Sequence, residues 1–317
     1  MQTWLIILLA VIGGGVLFYL FTWFLIPLIV YRVLLVRTKP DKWTRKCTME
    51  EDPEQLEMYR QAEEWIAQNE DKMTPVHIKN DGFNLYGEYV NFGFDKAVMI
   101  IPGRTEACRY SYYYAEPYKR AGYNVLVIDN RCHGLSEGKY NTLGLKEYSD
   151  IIAWSKMLHD EYGNKTVVLH GVCIGSATAL YALISPQRPD YMVGMVAEGM
   201  YTNFRETTKN HMQEKKQMIY PYLDIIMLYF RIATKQNAIK HGPIKVIKNL
   251  KTPILFIYSK QDNYSRPDKA QLLYDACGSP DKRIAWFEKG RHSRVRINDQ
   301  EGYDKSVLDF LETNFSK

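Results

Sequence analysis

Residues 166–183 constrain this chain more than any other stretch. Thr166-Val-Val-Leu169 is apolar and β-branched, as a short buried strand requires, and residues 174–183 carry small side chains at Gly175, Ser176, Ala177 and Ala179, as a closely packed helix requires. The chain must turn from strand to helix within a few residues, and Cys173 stands at the turn. Gly171 and Gly175 flank it two residues away on either side, the spacing of an elbow that lifts one side chain above the end of a sheet. A side chain at that point sits at a helix N-terminus, where free amides and the helix dipole favour an anion and therefore a thiolate over a thiol. A buried structural cysteine in a glycine-containing turn is the alternative reading.

A cysteine nucleophile needs a base to take its proton and a third group to orient that base. In elbow enzymes the chain order is nucleophile, acid, histidine. Asp262 follows the apolar run 254–258 in a loop, and His292 follows the run 284–287 in another, so both sit where strands end. Asp268 and Asp281 are other candidates for the acid. An oxyanion formed on attack needs two converging backbone donors. The amide of Ile174, directly after the nucleophile, is one candidate; Arg104 or Thr105, in the turn after the run 97–101, supplies the other. The Arg104 side chain is expected to form a surface ion pair or, less simply, to reach a substrate carboxylate. His133 and His170 have no partners at metal-ligand spacing and read as structural, and no HExxH, P-loop or GxGxxG pattern occurs. No metal or organic cofactor is implied.

Residues 1–31 contain no Asp, Glu, Lys or Arg, and the run 4–31 exceeds the roughly 20 apolar residues of a spanning helix. A membrane anchor is expected rather than a cleaved signal, because the run is long and no small-x-small cleavage site follows it. Arg32, Arg37, Lys39, Lys42, Arg45 and Lys46 then stand against Asp41 alone, a surplus equal to the whole formal net charge of +5. The positive-inside rule places the C-terminal part in the cytoplasm, a single-pass protein of the cell membrane, and anionic head groups suit the basic segment. The balanced remainder lacks the basic footprint of nucleic-acid binding. The cysteines Cys47, Cys108, Cys132, Cys173 and Cys277 are odd in number and widely spaced, which suggests neither a disulfide framework nor a CxxC site.

The periodicity predicts an amphipathic helix over 52–69 that links membrane to domain, and strands at 76–79 and 85–89 around an Asn80-Asp81-Gly82 turn. Further strands are expected at 97–101, 124–128, 166–169, 192–197, 254–258 and 284–287, with helical stretches around 112–121, 145–162 and 174–183 between them. Such alternation implies an α/β fold with a mostly parallel sheet covered on both faces. Residues 204–232 break the pattern as a helical insertion rich in Met, Tyr and Lys. This is either a cap over the strand ends, with Tyr220, Tyr222, Met227, Tyr229 and Phe230 lining an acyl pocket, or ordinary helices on the sheet. The expected organisation is an anchor at 1–46, a linker helix at 47–74, and a domain at 75–317 with its cap at about 203–250.

From about Lys79 to Phe315 the chain resembles the α/β-hydrolase superfamily, and within it bacterial hydrolases with serine aminopeptidase S33-like and monoacylglycerol-lipase-like domains. The resemblance rests on Ile101-Pro-Gly103, on Gly122-Tyr-Asn-Val-Leu-Val-Ile-Asp-Asn-Arg-Cys-His-Gly-Leu-Ser-Glu-Gly138, on the elbow, on Pro253-Ile-Leu-Phe-Ile257 with Asp262, and on Gly290-Arg-His292. It implies an α/β-hydrolase fold with Cys173 as nucleophile, Asp262 as orienter, His292 as base, and Arg104 and Ile174 as oxyanion-hole donors. Cys173 replaces the usual serine, Pro102 the usual histidine of the oxyanion turn, and Cys132 a common glycine. Cysteine elbows resemble those of dienelactone hydrolases and polyhydroxyalkanoate synthases. The implied activity is hydrolysis of a carboxylic ester or thioester through an acyl-enzyme, with a small-molecule acyl substrate. Acyl transfer on the same site is one alternative, and a ligand-binding or redox-sensing protein that keeps the fold is another.

Overall fold

The computed structural model describes residues 2–40, 42–43, 51–106 and 108–316. Cys47, Asp41, Arg45 and Lys46 lie outside these. Eight strands form one sheet: β1 (Met73–Asn80), β2 (Phe83–Val90), β3 (Lys96–Ile101), β4 (Asn124–Ile128), β5 (Thr166–Val172), β6 (Met192–Glu198), β7 (Ile254–Ser259) and β8 (Lys282–Phe287). Their order is β1-β2-β4-β3-β5-β6-β7-β8, antiparallel at β1/β2 and β2/β4 and parallel elsewhere. A two-residue turn joins β1 to β2, with Asp81 and Gly82 both at positive φ (48° and 82°), the backbone of a twisted hairpin.

Alternation along the central strands builds a core on each face. Ala97, Met99 and Ile101 of β3 pack with Val167 and Leu169 of β5 on one face; Val98 and Ile100 pack with Val168 and Val172 on the other. The first face is covered by the helices Tyr148–Asp160, Ile174–Leu183 and Pro267–Ala276. The second is covered by Pro53–Asn69, by short helical pieces between 108 and 120, and by Gln300–Phe315. Pro53–Asn69 is therefore a layer of the domain rather than a tether. Asp52 caps it, and it buries Met58, Ala62, Trp65 and Ile66. The helix expected around 112–121 is instead a 3₁₀ turn, Tyr112–Tyr114, followed by a short helix, Glu116–Arg120, with Pro117 in its first turn, and a further short helix, Cys108–Ser111, precedes them.

The insertion between β6 and β7 folds as two helices, Phe204–Glu214 and Tyr222–Thr234, with a short helix Pro243–Val246 after them. Of its aromatic and Met residues, Met227 and Phe230 are buried, Tyr222 and Tyr229 half-buried, and Tyr220 exposed. The N-terminal helix Gln2–Leu35 is long and apolar enough to cross a membrane. Its last turns pack on Tyr222–Thr234, so Tyr31, Leu35 and Val36 share a third apolar cluster with Phe204, Met212, Leu223, Met227 and Phe230.

Candidate active site

Cys173 is the turn residue between β5 and the helix Ile174–Leu183, with φ 53° and ψ −109°. Positive φ is unfavourable for a residue with a Cβ, at about 1–3 kcal/mol, so the surroundings must hold it. They do so through the Cys173 amide, which donates to the Glu198 carbonyl at 2.9 Å, and through the Ser176 hydroxyl, which donates to the carbonyls of Gly171 and Glu198. The flanking glycines serve close packing. A Cβ on Gly175 would stand 2.1 Å from the Ile101 carbonyl oxygen, and one on Gly171 would stand 2.3 Å from the Ser176 nitrogen.

His292 and Asp262 lie in the loops after β8 and β7, as their positions implied, and the structure brings both to Cys173. His292 Nδ1 donates to Asp262 Oδ2 at 2.7 Å, and the Cys173 sulfur is within hydrogen-bonding reach of the same ring. With Nδ1 committed to the carboxylate, Nε2 is the ring nitrogen left for another partner. Asp262 is itself held, because its Oδ1 accepts the amides of Tyr264 and Ser265 at 2.7 and 2.8 Å. Burial alone would lower the His292 pKa, but the negative charges of Asp262 and Cys173 outweigh it and hold the imidazole well above its ordinary value. The other acids stand apart. Asp268 pairs with Arg266 and Lys269, and Asp281 lies at the opposite end of β7, where its carbonyl accepts the Ile254 amide.

The turn after β3 is built differently from its usual form. Pro102 offers only a carbonyl, which accepts the Asn130 side-chain amide at 3.0 Å, and the Gly103 amide is taken by Glu106 Oε2 at 3.0 Å. Among the described residues no hydrogen bond engages the amides of Ile174, Arg104 or Thr105. The expected Arg104 surface ion pair is not what the structure shows. The side chain turns inward, donates to the Leu34 carbonyl at the end of the N-terminal helix (3.2 Å), and lies within electrostatic reach of Cys173 and Tyr264. Among the described residues no carboxylate pairs with it, and its bond goes to the end of the N-terminal helix. His133 holds this turn in place by bonding the Arg104 and Arg131 carbonyls and stacking on Trp43 at 4.6 Å. His170 bonds Tyr118 and Tyr303, and burial pushes its pKa down to about 3, so it stays neutral. Cys132 and Cys277 are buried free thiols, and Cys108 is buried. Among the described residues no group of His, Cys, Asp and Glu side chains is placed to hold a metal ion.

Sequence reasoning missed several residues around the site. A Cβ on Gly199 would meet His292 Cε1 at 3.0 Å, and the Tyr264 ring lies 5.3 Å from the imidazole. Glu198 ends β6 fully buried, accepts the Tyr303 hydroxyl at 2.7 Å, and leaves Oε1 without a partner among the described residues. Burial first, and the nearby Glu106 second, raise its pKa to about 7. An acid at the end of an otherwise apolar run was the signal available for it.

With this geometry in view, the chain can be set beside known proteins. The family model described as serine aminopeptidase, S33, matches residues 94–243, which include the β3 turn, the elbow and both helices of the insertion but stop short of Asp262 and His292. Protein YqkD of Bacillus subtilis is 25% identical over 286 residues, 89% of this chain and 90% of that one. Membrane protein YNL320W of Saccharomyces cerevisiae is 26% identical over 194 residues, 61% of this chain and 62% of that one. Among solved structures, the Pyrococcus furiosus esterase Pf2001 superposes with a TM-score of 0.67 at 24% identity, covering 79% of this chain and 94% of the esterase.

Proposed function

We propose a membrane-anchored acyl hydrolase of the α/β-hydrolase superfamily, a reading supported by the family model and the shared fold, in which Cys173 attacks a carboxylic ester or thioester. The observation that carries the reading is the placement of His292, oriented by Asp262, against the sulfur of a strained elbow cysteine. The thiol proton passes to His292 Nε2 and the sulfur adds to the carbonyl carbon. The oxyanion is received by the free amides of Ile174 and of Arg104 or Thr105. The tetrahedral adduct expels an alcohol or thiol, which takes the proton from His292, and a thioester to Cys173 remains. His292 then takes a proton from water, the hydroxide adds to the thioester, and thiolate departs to give the acid and the free enzyme. Because thiolate leaves more readily than alkoxide, activated acyl groups suit this site best and amides suit it least.

Anchoring is supported by the part the N-terminal helix plays in the fold. A cleaved leader would take Tyr31, Leu35 and Val36 out of an apolar cluster that the cap shares. The basic residues after the helix favour a cytoplasmic domain in a single-pass protein of the cell membrane.

The test is release of p-nitrophenol from p-nitrophenyl esters by the full chain in detergent. Activity is expected in the parent, with an acyl adduct on Cys173 by mass spectrometry and a background rate in Cys173→Ala. A Cys173→Ala variant as active as the parent would refute the assignment, and Cys173→Ser reports whether the site prefers sulfur.

A further inference from the structure

The N-terminal helix changes character along its length. Residues 2–21 are exposed on every side, and these twenty residues make a rod of about 30 Å at ~1.5 Å per residue, the thickness of a bilayer's hydrocarbon core. From residue 22 onward one side is covered, and Pro27, Tyr31 and Leu35 are buried. The first element to meet the helix there is Tyr222–Thr234: the Tyr229 hydroxyl donates to the Phe24 carbonyl at 3.1 Å, and the Tyr229 ring lies 6.3 Å from that of Tyr31. This cap helix therefore begins its contact with the anchor at the level where the anchor leaves the hydrocarbon.

Around the cap helix, three sides have different partners. Leu223, Ile226, Met227 and Phe230 face the core, and Tyr229 faces the anchor. Next to the anchor side, within about 100° of Tyr229 at ~100° per residue, lie Leu228 and Ile232, which are 47% and 55% exposed. Polar Asp224 and Arg231 come only beyond them. Met218, Tyr220 and Ile239 extend this exposed apolar surface into the flanking loops, among exposed Lys215, Lys216, Lys235 and Lys240. Residues 203–250 carry nine Lys and Arg against three Asp and Glu, so the balanced charge of residues 47–317 is a positive cap on a negative body. An exposed apolar stripe, continuous with a membrane helix and ringed by cations, matches the interfacial layer of a bilayer with anionic lipids.

We propose that Tyr222–Thr234 is a second membrane contact lying in that layer beside the anchor, and that the acyl group reaching Cys173 is carried by a molecule resident in the bilayer. The second part rests on the hydrolase reading above. Cys173 packs against the same apolar cluster as Tyr31, Leu35, Phe204, Met227 and Phe230, so contiguous apolar side chains, packed on one another, connect the anchor and the cap helix to the sulfur. An acyl chain following them exchanges lipid for side chains and exposes no apolar surface to water. Arg104, bonded to the anchor's Leu34 carbonyl, marks where those side chains meet the nucleophile.

The test uses the full chain in vesicles of phosphatidylcholine and phosphatidylglycerol. Benzoylphenylalanine placed at Leu228 and irradiated should form phospholipid adducts. The same group at Leu272, which is 47% exposed on the helix Pro267–Ala276, should form none. Equal yields, or none at 228, overturn the membrane contact. Leu228→Glu combined with Ile232→Glu alters only exposed side chains. It should slow hydrolysis of a long-chain fluorogenic ester dissolved in the vesicles at least about fivefold, while a soluble short-chain p-nitrophenyl ester is cleaved within about twofold of the parent rate. Equal loss on both esters, or loss on neither, overturns the delivery route. If adducts form at 228 and the parent cleaves neither ester, the membrane contact stands and it is the hydrolase reading, with the delivery route, that falls.

Discussion

At the scale of single residues, the site depends on groups held in costly positions by their neighbours. Asp262 keeps His292 Nδ1 protonated and leaves Nε2 for another partner, so Asp262→Asn should lower kcat/KM for an ester by roughly 10²–10⁴ with little change in Tm. Steady-state kinetics beside a thermal melt checks this. Gly175→Ala forces a Cβ to 2.1 Å from the backbone oxygen of Ile101, where no rotamer relieves it, and should cost several kcal/mol, about the scale of a core overpacking at ~1–3 kcal/mol or more, seen as a lower Tm and lost activity. Glu198 sets a pH dependence. Folding raises its pKa from 4.5 to about 7, so the folded state holds that proton more tightly than the unfolded chain does. Its stabilising contribution is whole below the ordinary carboxyl value and is lost as pH rises through about 7. Between pH 5 and 8 the parent should lose on the order of 1–3 kcal/mol that Glu198→Gln does not lose, measured by denaturant titration across that range. Cys173, Asp262 and His292 were legible because residue type and chain order mark them. Glu198, Gly199 and Tyr264 were not, because their importance lies only in what they touch.

At the scale of elements, the N-terminal helix has two parts. Residues 2–21 are exposed, whereas Tyr31 and Leu35 near its end, and Val36 and Trp43 just beyond it, are buried. Arg37 and Lys42, read in sequence as juxtamembrane charge, are used inside the structure. Arg37 donates to the carbonyls of Ser136, Gly134 and Pro40, and Lys42 to those of Arg32 and Val36 at the helix end. Burying a large apolar side chain is worth about 1.5–3 kcal/mol, so a chain beginning at residue 47 loses several kcal/mol, while one beginning at residue 22 keeps nearly all of it. Melts of both truncations in one detergent should show the first strongly destabilised or aggregated and the second within a few degrees of the parent. Periodicity located the eight strands of the sheet and the elbow helix, because the central strands and that helix are runs of buried apolar residues while the edge strand β1 alternates between exposed and covered positions. It overran at 112–121, where a 3₁₀ turn, Tyr112–Tyr114, and a short helix, Glu116–Arg120, stand in place of one helix.

At the scale of the whole molecule, the charge of residues 47–317 is divided by sequence, with a surplus of Lys and Arg at 203–250 and the matching acidic surplus in the rest, and the end of the N-terminal helix packs into the same apolar cluster as residues 204–238. In a bacterial host, green fluorescent protein fused after residue 317 should fluoresce and alkaline phosphatase fused there should stay inactive, and the reverse result would invert the topology. Strand order, the elbow, and the position of Asp262 and His292 in loops after strands could be read from the linear chain, because local periodicity and residue chemistry carry them. The approach of Phe24 to Tyr229, of Leu34 to Arg104 and of Glu106 to Gly103 could not. The first two pairs are 205 and 70 residues apart, and the third turns on a local reversal that periodicity does not encode. Whether two such groups meet depends on how the sheet orders its strands and where the cap and anchor close over it, a property of packing that no single segment carries.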